Sequence, residues 1–336
     1  VTRAAVLRGI GSYLPSRAVS NQELAEHLET SDAWIRTRTG IGQRFVVQPG
    51  ESTSDLAVHA GRAALDDAGL DEVAAVIVAT ATPDYSCPAT APAVAARLGL
   101  GGVGAFDVGA VCSGFIYALA VAHGLVTGGV VSSVLVIGAD CFSTITDPAD
   151  RTTRAIFGDG AGAMVLTAGE RDEPGAVLGF ELGSDGSREE LIIVPGGGAR
   201  QRSGTRVEDV APYFAMQGKA VFMQAVLNMA KSCQAVLDQL GWRPDQVDHL
   251  VPHQANSRIL AATAEQLGLP PERVVSNIAE VGNTVAASVP LALHDALRAG
   301  RLRPEQRVLL TAFGGGLTWG AAALTWPHPA AGQRNS

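Results

Sequence analysis

The sequence predicts an α/β fold made of two related halves, and three observations predict it. Short aliphatic and β-branched runs alternate with longer stretches of helical periodicity, the pattern of helices covering a sheet. Glycines stand just past the helical stretches, at Gly69, Gly99 and Gly128-Gly129, where a left-handed C-cap is wanted. Segments also recur at nearly one spacing. AALDDAGLDEVAAVIVA at 63–79 is echoed by AVLDQLGWRPDQVDHLVP at 235–252, with Leu65-Asp66 returning 172 positions on as Leu237-Asp238. GGVVSSVLVIG at 128–138 is echoed by GRLRPEQRVLLTAFG at 300–314, with Val134-Leu135 returning 174 positions on as Val308-Leu309. Two copies indicate a duplication rather than a solenoid; a chance likeness of generic α/β patterns is the alternative.

Taken in order, residues 57–68 read as a helix, 73–79 (VAAVIVA) as a strand buried on both faces, and 91–98 as a second helix. Residues 105–108 then read as a short strand, 113–127 as a helix and 134–138 as another buried strand. Residues 170–212 are the least regular stretch and read as an excursion over the surface that covers a ligand. Its Arg200, Arg202 and Arg206 are either solvated charge or ligand contacts.

Composition bounds the function. Apolar residues make up 47% of the 336 and charged residues 17%, so an extensive interior or a subunit interface is expected, and with it a homo-oligomer. A net charge of -8 excludes a protein that envelops nucleic acid, while a local basic patch for one phosphorylated ligand stays open. No uncharged apolar run reaches membrane-spanning length and the N-terminal stretch has no long apolar segment, so a cytoplasmic protein without membrane contact is expected. The four cysteines, at 87, 112, 141 and 233, form no C-x-x-C pair, and neither a metal site nor a disulfide framework is expected.

Cys112 follows the strand at 105–108 and directly precedes a helix. Helix N-terminal amides there would lower a thiol pKa, and no charged residue lies within 108–122, so an apolar slot beside a nucleophilic thiolate is expected; a buried structural cysteine is the alternative. The duplication sets Cys112 against Asn283, 171 positions on, bringing the turns AVCSG and EVGNT to one cleft beyond the strand ends. His253 follows the apolar run 250–252 and points into the same cleft, unless it is a satisfied core residue. Asn283 has turn chemistry as its own alternative. Together the three suit attack on a thioester, with imidazole and carboxamide donating to a developing enolate oxygen. The glycines after Phe313 would let the backbone approach a reacting carbonyl and supply an amide to an oxyanion alongside that of Cys112. Gly9 and Gly11 lack the third glycine of a dinucleotide fingerprint.

The motifs and their order resemble the β-ketoacyl-acyl carrier protein synthase III family, from Gly9 to about Pro327. The likeness is carried by Ser31-Asp32, Trp34-Ile35, Thr37 to Ile41, Phe106-Asp107, Cys112-Ser113-Gly114-Phe115, Asp150-Arg151, Phe157 to Ala163, Val251 to Asn256, Gly282-Asn283-Thr284 and Ala312 to Gly320. It implies a thiolase-like, five-layered α-β-α-β-α fold with two duplicated halves. Residues 1–170 would carry the nucleophilic cysteine; residues 171–336 would hold the excursion and the half with histidine and asparagine. It implies an acyltransferase that loads an acyl-CoA primer on Cys112 and condenses it with malonyl-acyl carrier protein, with no cofactor beyond the CoA thioester. It also implies that the Gly315 amide is the one that completes the oxyanion hole with that of Cys112.

The resemblance further implies that Trp34 and Arg151 sandwich the adenine, that Arg38 meets a nucleotide phosphate, and that Asn256, Met216 and Phe222 line the pantetheine tunnel. It places carrier-protein docking at Arg258 and Lys219, and an acyl pocket at Cys87, Phe142 and Phe157, closed across a homodimer. Cys87 stands where well-known members have phenylalanine, which would leave room for a longer or branched primer unless Phe142 refills it. Glu265 and Met223 replace basic positions, which puts the choice of carrier in doubt.

Overall fold

The computed structural model describes residues 3–204 and 210–328. Strands β1 (Arg3–Tyr13), β2 (Ala75–Ala79), β3 (Gly104–Val108), β4 (Ser133–Asp140) and β5 (Gly160–Glu170) form one sheet in the order β1-β5-β4-β2-β3. Strands β6 (Val177–Ser184), β7 (His249–Pro252), β8 (Arg307–Gly314) and β9 (Thr318–Thr325) form a second, in the order β7-β8-β9-β6. Six helices pack on them: α1 (Thr53–Ala68), α2 (Ala91–Arg97), α3 (Gly114–Thr127), α4 (Gly218–Leu240), α5 (Ser257–Gln266) and α6 (Ser288–Arg298).

The two halves run in the same order, strand by strand and helix by helix. Where the first sheet has β3, the second has a single parallel bridge between Leu250 and Val274. The duplication is exact in register through the central strands. Ala75 pairs with Val134 in the first sheet and His249 with Val308 in the second, each residue 174 positions from its counterpart (249 less 75, 308 less 134).

Apolar packing stacks these elements in five layers. Leu56, Ala60 and Val94 of α1 and α2 cover one face of the first sheet with Val76 and Leu135. Phe115, Leu119 and Ala122 of α3 and Val289 and Leu293 of α6 fill the space between the sheets, against Ile77 and Val136 on one side and Leu310 and Ala322 on the other. Cys233, Leu237 and Ala264 of α4 and α5 cover the far face of the second sheet. A helix covered on both sides must be apolar all round, and α3 carries no charged side chain.

Local signals explain the boundaries. Ser52 and Asp55 close a capping box at the start of α1, and Gly69 ends it at φ +64°. The excursion is shorter than the sequence suggests, because residues 177–184 are the edge strand β6. That strand is only half-buried and carries Gly179, Glu181 and Gly183, which dilutes its apolar signal. Arg206 lies outside the described residues; Arg200 and Arg202 sit on the exposed short helix Ala199–Arg202. Among the described residues no helix is long and apolar enough to cross a membrane.

Gly9 and Gly11 have a packing role, because β1 lies directly on the backbone of α1. A Cβ at Gly9 would come 2.4 Å from the Ala68 amide and 2.5 Å from the Ala64 carbonyl. Backbone cannot yield as a flexible side chain can, so Gly9→Ala is expected to cost about 3 kcal/mol by denaturant unfolding, the upper end for overpacking. Gly186→Ala, which meets nothing within 4 Å, should stay within about 0.5 kcal/mol of the parent.

Candidate active site

Two three-residue turns meet at the centre of the molecule. Val111–Ser113 leads into α3 and Val285–Ala287 into α6. Each opens on a valine with positive φ, +45° at Val111 and +54° at Val285, a conformation that is strained for a β-branched side chain and that marks sites where geometry is held by the surroundings. The turns are 174 positions apart, like the strands, so the counterpart of Cys112 is Ala286 and not Asn283. The expected pairing slipped by three residues because the helical echoes, at 172, differ from the central strands.

The turns are held crosswise. The Ala286 N–H donates to Asp140 Oδ2 at 3.0 Å, at the end of β4. At the equivalent end of β8, Gly314 lies so close to the other turn that a Cβ would stand 2.7 Å from the Cys112 amide nitrogen. Ser113 Oγ adds bonds to the Ala110 carbonyl (2.8 Å) and Thr318 Oγ1 (2.7 Å).

Cys112, His253 and Asn283 line one pocket, together with Phe142, Phe157, Phe214 and Met216. No Asp or Glu is among its lining residues. The His253 N–H continues the sheet to the Thr311 carbonyl at 2.7 Å, and Nδ1 lies 2.6 Å from Ser288 Oγ. Ser288 Oγ, which also accepts from the Gln254 N–H at 3.4 Å, can donate its own proton to Nδ1, the arrangement that puts the ring hydrogen on Nε2. Burial pushes the imidazole pKa down to about 3, so the ring is neutral at working pH. Asn283 Oδ1 accepts from the Val285 N–H at 3.0 Å, so the carboxamide N–H groups are the end left for a ligand. The ring and the amide therefore both present donors.

The thiol departs from expectation. Cys112 does stand at the mouth of α3, but burial, and then the negative charge of Asp140, push its pKa up rather than down. The flanking sequence carries no charge, yet strand β4 delivers a carboxylate from 28 residues away (140 less 112). At rest Cys112 is a thiol.

Residues 106–186 match the family described as 3-oxoacyl-[acyl-carrier-protein] synthase III, and residues 237–326 its C-terminal part. The chain is 60% identical over 330 residues to β-ketoacyl-[acyl-carrier-protein] synthase III 3 of Streptomyces coelicolor, covering 97% of this chain and 98% of that one. The chain belongs to the β-ketoacyl-acyl carrier protein synthase III family. Its members are condensing enzymes of the acyltransferase type. The synthase III of Pseudomonas aeruginosa is 56% identical over 326 residues, with 97% of each chain covered. A crystal structure of 3-oxoacyl-(acyl carrier protein) synthase III from Pseudomonas aeruginosa PAO1 superposes with a TM-score of 0.92 at 55% identity, covering 97% of this chain and 99% of that one. The priming β-ketosynthase of the R1128 polyketide pathway superposes at 0.91 with 34% identity, covering 98% of each. The thiolase fold with two duplicated halves is thereby established.

In this synthase the remaining residues fall into two groups. Around Trp34, on the short helix Asp32–Thr39 capped by Ser31, the guanidinium of Arg38 lies 4.5 Å and that of Arg151 5.4 Å from the ring centroid. Arg258 lies over the Phe222 ring at 5.7 Å, with Lys219 exposed on the first turn of α4. Asn256 caps α5 through its side-chain oxygen, 3.0 Å from the Ile259 N–H. Gly315 is buried next to Gly314, beside the Cys112 turn. Cys87 is exposed and does not line the pocket of its own chain.

Three further contributors escaped the sequence. Phe214, two residues past the excursion, packs edge-on against Phe142 and Phe157, with ring centroids 5.0 Å apart in both pairs. Asp140 ends a strand that reads only as buried apolar sequence. Ser288 lies 35 residues from His253, and only its place on the first turn of α6 marks it. Ser288→Ala removes the buried hydrogen bond to His253 Nδ1, about 1 kcal/mol, and is expected to lower kcat about fivefold and the unfolding midpoint by about 1–2 °C, with KM within error; steady-state kinetics with thermal unfolding checks it.

Proposed function

We propose that this protein transfers a short acyl group from acyl-CoA to Cys112 and condenses it with malonyl-acyl carrier protein, initiating fatty-acid synthesis. The observation that carries the reading is that a neutral His253 and Asn283 line the pocket of Cys112, with the Asn283 oxygen already engaged by the Val285 N–H, and that no carboxylate lines it. In the first half-reaction the sulfur bonds to the thioester carbon and CoA leaves as its thiol, taking up the cysteine proton. In the second, malonyl loses CO2 and the electron pair becomes an enolate whose oxygen is held by His253 and Asn283. The enolate carbon attacks the acyl-cysteine carbonyl, whose oxygen turns toward the amides of Cys112 and Gly315, and the thiolate leaves and is reprotonated. Residues 1–170 thus supply the nucleophile and 171–336 the enolate-binding pair. The reaction needs no cofactor beyond the CoA thioester.

The Trp34, Arg38 and Arg151 cluster suits a nucleotide, since a guanidinium-flanked indole stacks on a base and arginines take its phosphates. Phe142, Phe157 and Phe214 fill the far side of the pocket with ring centroids 4.6–5.0 Å apart, which favours a short primer. For the carrier, α4 offers Lys219, Met223, Leu227 and Lys231, four exposed side chains at i, i+4 spacing on one face beside Arg258. Met223 is 62% and Leu227 42% exposed. An acidic helix with an apolar centre complements this stripe. Two copies pair through β3, the free edge of the first sheet, whose Phe106 is 37% exposed. Asp107 accepts from the Thr90 and Ala91 amides, both at 2.7 Å, and so carries the loop of Cys87 at that same edge.

Intact-mass spectrometry tests the assignment. Acetyl- and butyryl-CoA should each leave one acyl group on the protein and none on Cys112→Ala, octanoyl-CoA little, and malonyl-acyl carrier protein should clear the adduct as a β-ketoacyl carrier. An adduct that malonyl carrier neither clears nor decarboxylates would overturn the condensation. Met223→Glu is expected to raise the KM for malonyl carrier about tenfold, about 1.4 kcal/mol, and leave acylation by acyl-CoA unchanged.

A further inference from the structure

Asp140 is fully buried and every group it bonds is a donor. Oδ1 accepts from the Ala81 N–H at 2.7 Å and from the Thr80 and Thr82 hydroxyls, both at 3.2 Å; Oδ2 accepts from the Ala286 N–H at 3.0 Å. Among the described residues no cation pairs with it. The duplication supplies an internal comparison. Its counterpart at the end of β8 is Gly314, which meets the Cys112 turn by backbone and leaves that turn for substrate. In the second half the equivalent turn is instead held by the protein's own carboxylate.

That turn starts α6, and the groups that act on the enolate hang from it. Asn283 is bonded to Val285 and His253 to Ser288, on either side of Ala286. We infer that Asp140 is a positioning residue for the decarboxylation step: its carboxylate clamps the Val285–Ala287 turn and so fixes His253 and Asn283 relative to Cys112. The inference rests on the condensing reading above.

An ionised carboxylate accepts from all four donors, whereas the protonated acid must turn its O–H toward the Thr80 or Thr82 hydroxyl, which then stops donating, so protonation loosens the set of bonds that holds the clamp. Burial holds the Asp140 pKa up at about 7, and its ionised form, with the clamp closed, prevails above that pH. Other ionisable groups lie around it, and burial raises the carboxyl pKa of Asp159 as well. Cys112 is a thiol shifted upward, and His253 titrates near 3. On the neighbouring elements, Asp159 and Asp84 lie with Asp140 around the buried Cys141, whose thiol is also shifted upward, and Asp159 has Arg154 nearby. The two chemical steps respond oppositely. Burial of Cys112 stays, but loss of the Asp140 charge removes the second cause that raises its pKa, while it frees the enolate-binding pair.

The test compares wild type, Asp140→Asn and Thr80→Val in two assays from pH 5.5 to 8.5: decarboxylation of malonyl-acyl carrier protein, and alkylation of Cys112 by iodoacetamide. Asp140→Asn is expected to lose at least tenfold in decarboxylation and its acid limb near pH 7, while alkylation is unchanged or faster. Thr80→Val removes one donor to the ionised form, so its acid limb should move to higher pH. Parallel loss in both assays, or decarboxylation by Asp140→Asn equal to wild type, overturns the clamp. If Asp140→Asn does not fold, an unmoved limb in Thr80→Val overturns it instead. A wild type that is acylated but does not decarboxylate malonyl carrier defeats the condensing reading itself, and the clamp with it.

Discussion

The crossing of the two halves at their turns is the constraint on which the site depends. Helices α3 and α6 lie side by side between the sheets with apolar surroundings, and apolar contact is non-directional. Burial alone would let either helix slide along its neighbours. The register is set by close polar and backbone contacts at the strand ends: Asp140 on Ala286, and Gly314 on Cys112. A buried carboxylate without a cation is costly unless its lone pairs are filled, and four donors fill these. Cys112 comes from one half and His253 and Asn283 from the other, so the accuracy of their spacing in the shared pocket is the accuracy of this crossing.

The electrostatics of the pocket follow from what is kept out of it. His253 is bonded through Nδ1 to a hydroxyl rather than a carboxylate, so nothing nearby favours imidazolium, and burial keeps the ring neutral. A neutral donor can strengthen its bond as charge develops on a substrate oxygen without first giving up an ion pair. The thiol is likewise uncharged at rest, and the negative charge that discourages its ionisation lies behind the turn, on Asp140. The cavity itself is lined by neutral groups, and charge appears in it only with the reacting substrate.

Much of this was legible in the sequence. The buried strands and their glycine stops read correctly because continuous aliphatic runs and C-cap glycines are local signals; α1 and β2 appear within a few residues of the expected bounds. The meeting of Cys112, His253 and Asn283 was legible through the strand-to-helix turns, and the family likeness agreed. What failed was whatever depended on distance along the chain. The duplication offset slipped by three because the helices and central strands of the two halves differ in spacing. The edge strand β6 was lost in the excursion because a half-exposed strand has a diluted pattern. Asp140 was overlooked as a neighbour of Cys112, and the direction of the thiol shift was inverted with it, because a charge brought by another strand leaves no mark in the flanking residues.

The two sheets, otherwise equivalent, end differently. The first ends in the five-residue strand β3, and the second replaces that strand with one bridge at Val274. Only one side of the molecule therefore offers a full ladder of unpaired backbone groups at that position. A strand that pairs with its own copy is used up by doing so. Were two copies to pair through β3, growth of the sheet would stop at two chains, and the loss of one short strand would guard against open-ended polymerisation.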